Sequence, residues 1–241
     1  MSVVVVMRHT LRLDSDPNST WSDKHTRPYD TPARCLEHPK PQAKKLLDLN
    51  ITKVVCSPFR RCLQTAAVVC TELGLTQILV NRQVGETMPA VRKLNKEVLS
   101  HVDESDHKLI YLSSDESLRV LHAINTSLNI IDFIGEPPAY HETREEGHAR
   151  FASETRKYCK LIKNDTTHGS ILIVSHGDAV ATIGTNISNI DIYSVNECGF
   201  IVLKPHEDAD SDGVHLVTKD NVFVLDEHKT NELSQDKNIM G

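Results

Sequence analysis

Two histidines and three arginines in this chain each stand just past a short apolar run. Residues 3–7 (VVVVM) lead into Arg8 and His9, with Arg12 three positions further on. Residues 51–56 (ITKVVC) lead into Ser57-Pro58-Phe59-Arg60-Arg61, and residues 170–174 (SILIV) into Ser175-His176-Gly177-Asp178. Imidazoles are nucleophiles and proton carriers near neutral pH, and guanidiniums grip tetrahedral oxyanions through paired N–H donors. If the three runs are neighbouring strands, their carboxyl ends share one edge of a sheet, where sites in open α/β folds form. Ser57 is a preferred helix N-cap and Pro58 a preferred first helical residue, so a helix is expected to start there with its amide N–H groups facing that edge. Arg61 falls in its first turn. With these arginines and histidines converging on one edge, the set describes a pocket for a dianionic tetrahedral group. The alternatives are local: Arg12 could pair with Asp14 at the surface, and Arg60 competes with Arg61 but is expected on a solvated face. A metal is not expected among His9, His176 and Asp178, because the arginines repel cations and no carboxylate or cysteine cluster accompanies them.

The positioning elements follow from hydrophobic periodicity. Unbroken β-branched runs such as 3–7, 51–56 and 170–174 read as strands buried on both faces, and 78–80 is a shorter candidate. Helical stripes lie at 42–49, 61–73 and 145–163, the last placing Phe151, Tyr158, Leu161 and Ile162 together. Strands alternating with helices imply a three-layer α/β/α sandwich with a mostly parallel central sheet, here as one domain over 1–241. Residues 14–39, rich in Pro, Asp, Ser and His, are expected as a long ordered loop. Residues 85–140, with an acidic knot at 103–107, are expected as an inserted cap beside the sheet's upper edge. A polar tail is expected after about 226.

Bulk properties exclude several classes. The chain has 241 residues, 39% hydrophobic and 25% charged, ordinary for a globular protein. A formal net charge of -6 argues against a general nucleic-acid or anionic-membrane binder. No apolar run approaches the ~20 residues of a membrane span, and the first run is too short for a signal-peptide core. A cytoplasmic setting is expected, with the nucleus as the alternative. The six cysteines form no C-x-x-C pair and read as reduced core thiols, not as disulfides or zinc ligands.

These residues resemble a family, the histidine phosphatases or phosphoglycerate mutase-like superfamily. Met7-Arg8-His9 is similar to its R-H-G signature, and 56–66 (CSPFRRCLQTA) to its S-P-x-x-R-x-x-x-T-A segment. Ser175-His176-Gly177 resembles its second histidine, and Val84-Gly85-Glu86 the L-x-E carrying its proton donor. Thr20-Trp21 followed by Arg27-Pro28-Tyr29-Asp30, with Arg12, resembles the branch containing the phosphatase domains of T-cell signalling suppressors and their plant and protist relatives. Trp21 and Tyr29 are expected as loop anchors on the sheet edge. The resemblance implies phosphomonoester hydrolysis without a cofactor, on a phosphorylated small molecule or phosphoprotein, with inorganic phosphate as product. His9 would be the nucleophile and form a phosphohistidine, Glu86 the proton donor, and Arg8, Arg12, Arg61 and His176 the phosphate ligands. Asp178 is the rival donor, set back by the intervening Gly177. One departure stands out: the family's glycine after the histidine is Thr10, whose side chain is expected to narrow the phosphate loop or demand a backbone adjustment. The alternative functions are a phosphoglycerate mutase-type transferase, or a weakly active or inactive phosphate-binding interaction module. Turnover discriminates the latter.

Overall fold

A run of five β-strand residues at the N-terminus has no polar face to show to solvent, and it lies where that composition requires. In a computed structural model, β1 (Val4–Arg8) crosses the centre of a seven-stranded sheet, with Val5 and Met7 buried in one core and Val4 and Val6 in the other. The structure describes residues 2–16, 18, 19, 21, 29–94, 111–165, 167, 169–188, 190–206 and 213–224. Thr20, Arg27 and Pro28, the acidic knot at 103–107 and the tail after 226 lie outside the described residues.

The chain continues through α1 (Pro39–Lys44), β2 (Ile51–Cys56), α2 (Arg60–Leu73), β3 (Gln77–Asn81), α3 (Met88–Leu94), α4 (Ser114–His122) and β4 (Asn129–Ile134). It ends through α5 (Arg144–Asn164), β5 (Ser170–Ser175), α6 (Gly177–Ser188), β6 (Ile192–Pro205) and β7 (Val214–Val224). The strand order is β4-β3-β2-β5-β1-β6-β7. The first five strands in that order pair in parallel, and β6 and β7 add on antiparallel. Helices α1, α2 and α4 pack over one face and α5 and α6 over the other, giving the expected three layers. Each fully buried aliphatic side chain in these cores contributes about 1.5–3 kcal/mol, so the double-sided burial of β1 and β5 fixes the sheet's centre.

Three boundaries differ from the sequence reading. Helix α2 begins at Arg60 with Phe59 as its N-cap, so Ser57 and Pro58 precede the helix instead of capping it. Ser57 has a different task, described below. Pro39 opens α1 earlier than expected, and residues Leu47–Leu49 form a separate 3-10 turn before β2. The 85–140 segment is not wholly a cap, because α4 packs on α2 and β4 pairs with β3 as a parallel edge strand. Its exposed residues on β4 hid that role, since an edge strand lacks the continuous apolar run of a central one. All six cysteines are free, but Cys35 is exposed and only the other five are buried. No helix among the described residues is long and apolar enough to cross a membrane.

Candidate active site

Sheet register brings the catalytic candidates to one level. Arg8 is paired with Ser175, and Met7 and Cys56 both with Val174, so β1, β2 and β5 end together. Beyond that line the His9 N–H donates to the Ser175 carbonyl (2.9 Å) and the Ser57 N–H to the Val174 carbonyl (3.0 Å). His9, Ser57 and His176 therefore leave the sheet side by side, all buried.

The protonation of His9 follows from its partners. Its Nδ1 lies 2.6 Å from the Thr10 carbonyl oxygen, which can only accept, so Nδ1 carries the proton. Nε2 is then a bare lone pair, and Arg61 Nε donates to it at 3.0 Å. Burial, then the charges of Arg61 and His176, hold the imidazole pKa well below its usual 6.5. At neutral pH His9 is an uncharged imidazole with a fixed tautomer.

Arg61 is the hub. Buried in the first turn of α2, it donates from Nη1 to the Tyr29 carbonyl (2.9 Å) and sets Nη2 3.1 Å from His176 Nδ1, with Glu86 Oε2 3.8 Å away. Its guanidinium also lies 5.0 Å from the centre of the Phe59 ring, which meets the His176 ring edge-on. His176 Nδ1 approaches Glu86 Oε2 at 3.2 Å, and its Nε2 approaches Ser57 Oγ at 2.9 Å. Burial lowers the His176 pKa, against the pull of Glu86. For Glu86, burial alone would raise the pKa, but the charge and hydrogen bond of His176 and the nearby Arg61 outweigh it and hold the carboxyl at about 2. The resting Glu86 is thus ionised, and it lies at the edge of the His9–Arg61–His176 cluster.

The other expected phosphate ligands stand at the rim. Arg8 donates from Nη1 to the Val195 carbonyl (2.5 Å) and pairs with Glu197 at 3.2 Å. A bulge in β6 between Val195 and Phe200 presents both partners, and within it buried Cys198 adopts φ 56°, its N–H donating to the His9 carbonyl at 3.3 Å. A non-glycine residue in that conformation is a local strain held by its surroundings. Arg12 forks onto Asp14, the local alternative allowed by sequence, yet remains near enough for its charge to depress the pKa of both Arg61 and His176. Arg60 is not simply solvated surface: it pairs with buried Asp30 at 3.3 Å, and its N–H donates to the same carboxylate at 2.6 Å. Asp178 is engaged by Arg144 and His148, each at 3.0 Å. Tyr29 is buried in the core and contributes its carbonyl to Arg61.

Thr10 resolves the question its side chain raised. Its backbone is outside the positive-φ region. Its hydroxyl points away from His9, donating to the Cys35 carbonyl (3.2 Å) beside His38, while its N–H donates to Thr65 Oγ1 (3.0 Å). The role of Ser57 as a partner for His176 was missed because Ser-Pro ahead of a helix also satisfies capping rules. Glu142 and Arg150, which hold the Glu86 loop, were missed too. The available signal was a charged residue beside Phe151 on the inward face of α5.

Among the described residues no group of three or more His, Cys, Asp or Glu side chains is placed to hold a metal ion. The arrangement offers a neutral imidazole with a bare Nε2, a buried guanidinium, a second imidazole and a carboxylate, a set whose chemistry suits a tetrahedral anionic group.

No family model matches the sequence, and no curated protein matches it. Solved structures match its fold. Ecdysone phosphate phosphatase from Bombyx mori, in complex with tungstate, superposes with a TM-score of 0.60 at 15% identity over 90% of this chain and 92% of that one. A mycobacterial glucosyl-3-phosphoglycerate phosphatase in complex with VO3 gives 0.57 at 17% identity over 90% and 98%. A structure described as mycobacterial hydrolase 1 gives 0.55 at 16% over 91% and 97%. At these identities the likeness is one of fold.

Proposed function

We propose that this chain is a phosphatase that hydrolyses phosphomonoesters through a phosphohistidine on His9, with Glu86 as proton donor and no metal. The bare Nε2 of His9, fixed by the Thr10 carbonyl behind it and faced by Arg61, carries the reading. Two structures of the same fold are of phosphatases by name, in complex with tungstate and with VO3, which supports the reaction class. Their named substrates differ from one another, and neither is carried over to this chain.

The chemistry balances in two steps. The His9 Nε2 lone pair forms a bond to phosphorus as the ester P–O bond breaks, and the Glu86 proton passes to the departing oxygen. Water then attacks phosphorus, gives a proton to the Glu86 carboxylate, and the N–P electrons return to Nε2, releasing inorganic phosphate. Arg61 and His176 neutralise the phosphoryl oxygens, with Arg8 and Arg12 recruited from their rim carboxylates. Fixed guanidiniums supply the charge cancellation that phosphoryl transfer chiefly needs. A dianion placed beside Glu86 offsets the cations that hold its pKa low, so substrate binding draws a proton onto the carboxyl.

The test is hydrolysis of p-nitrophenyl phosphate in the presence of a chelator, comparing wild type with His9→Ala. Activity that survives chelation and falls by roughly 10⁶-fold in the variant is expected for loss of a nucleophile. Vanadate binding with no turnover in the wild type would instead leave a phosphate-binding module. Equal activity in the two proteins would exclude His9 as nucleophile.

A further inference from the structure

The loop that carries Glu86 has few tethers of its own. Asn81 Oδ1 accepts from the Gln83 N–H (2.8 Å), the Gly85 N–H donates to Arg82, and Ser175 Oγ donates to the Val84 carbonyl (2.7 Å). The remaining carbonyls turn toward α5, more than sixty residues away in sequence. There Arg150, with 8% of its side chain exposed, donates from Nη1 to the Gln83 carbonyl (2.5 Å) and the Gly85 carbonyl (3.0 Å), and from Nη2 to that of Glu86 itself (3.4 Å). Its other donors form a two-pronged pair with Glu142, 6% exposed, at 2.7 and 3.0 Å. Glu142 Oε2 also accepts the Met88 N–H at 3.2 Å, closing the clasp on the far side of Glu86.

The helix face bearing Arg150 is shaped for this approach. Residues 147, 150, 154 and 158 lie on one side of α5 at helical spacing. Glu154 and Tyr158 receive the Asn81 amide at 3.1 and 2.9 Å. A Cβ on Gly147 would stand 2.6 Å from Thr87 Cγ2, so only glycine lets α5 come this close to the residue after Glu86. A buried ion pair contributes little net stability against an apolar replacement, so stability alone does not account for the pair.

We propose that Arg150, locked by Glu142, is the positioning residue for Glu86: its guanidinium gathers three loop carbonyls and sets the carboxyl over the departing oxygen. This rests on Glu86 being the proton donor. Arg150 touches no reacting atom.

The experiment compares two aryl esters by kcat/KM, which reports transfer to His9. Phenyl phosphate needs its leaving oxygen protonated, whereas 2,4-dinitrophenyl phosphate departs as an anion. Arg150→Lys retains the charge but cannot reach three carbonyls and a carboxylate. Because removal of one partner of a buried pair can unfold a protein, Glu142→Leu/Arg150→Met, which removes both, is measured alongside, with folding checked by circular dichroism. The expected result is a loss of about 10²-fold on phenyl phosphate and less than about 3-fold on the dinitrophenyl ester in each folded variant, at the low end of a lost acid. Glu86→Gln is the control. If Glu86→Gln discriminates between the esters and the Arg150 variants do not, or if they lower both rates together, the positioning role is overturned while the donor stands. If Glu86→Gln fails to discriminate, the donor assignment falls and the positioning role falls with it.

Discussion

His9, Arg61 and His176 stand on a floor that the sheet itself builds, whereas Glu86 stands on a loop held from a distant helix. On the floor, each side chain lies within a residue or two of a strand end or in the first turn of α2, and strand register alone brings them within hydrogen-bond distance. On the acid side, position depends on Glu142 and Arg150, whose roles have no local sequence signature. His9 thus inherits its geometry from the register of the central strands. Glu86 depends on a clasp that a single substitution can loosen, so the two sides should fail in different ways.

The largest separation between them is expected at Arg61. Arg61→Ala removes the donors to His9 and Tyr29 and the contact with His176 at once and is expected to lower kcat/KM by at least about 10²–10³-fold. On the proposed mechanism the loss should be the same for good and poor leaving groups, because the floor would bind phosphoryl oxygens and not the departing one. Arg61→Lys should recover little, since a point charge cannot reach three partners. A leaving-group-dependent loss in Arg61→Ala, measured with the same pair of aryl esters, would erase the distinction between the two sides.

That contrast also governs what sequence reveals. The parallel sheet and the residues at its edge were legible because double-sided burial leaves unbroken apolar runs such as 3–7 and 170–174, and the residue after each run is pinned by the register. Glu86 was legible only through a short motif at the right distance after β3. Arg150 was not, because its task appears only when α5 packs across the sheet. The edge strand β4 escaped for a related reason: among the described residues one of its sides has no neighbouring strand, and its residues alternate less clearly. Ser57 shows the converse error, in which a valid local rule, N-capping, predicted the wrong partner for a residue that tertiary structure assigned to His176.

Acid titration should divide the two sides by pH window. The folded pKa values of His9 and His176 lie below the usual 6.5, so the unfolded chain binds protons that the folded chain refuses. Their stabilising contribution is complete above about pH 6.5 and is lost as pH falls through and below it, at up to about 1.4 kcal/mol per pH unit for each histidine. The Glu86 carboxyl, held at about 2 against an ordinary 4.5, contributes fully above 4.5 and loses that contribution between 4.5 and 2. Urea denaturation across this range should show the upper window flattened in His9→Ala and the lower one flattened in Glu86→Gln. Wild-type stability unchanged between pH 7.5 and 5 would contradict a neutral buried floor.

The smallest effect is expected at Thr10, where the floor departs from the glycine of the family pattern. A side chain here would obstruct phosphate only if it faced His9 or forced the backbone, and it does neither. Thr10 Oγ1 donates to the Cys35 carbonyl, while the main chain keeps its carbonyl on His9 Nδ1 and its N–H on Thr65. The hydroxyl therefore anchors the loop at 33–38 to the floor from behind. Thr10→Gly is expected to leave kcat/KM within about 3-fold while lowering stability by about 1–2 kcal/mol, from one lost part-buried hydrogen bond and the added backbone entropy of glycine. A rise in kcat/KM of tenfold or more would mean that threonine crowds the phosphate site after all. An unchanged melting midpoint would mean that the anchor to Cys35 holds nothing. With activity kept and stability reduced, the floor would be set by sheet register and the Thr10 backbone, leaving its side chain free to differ from glycine.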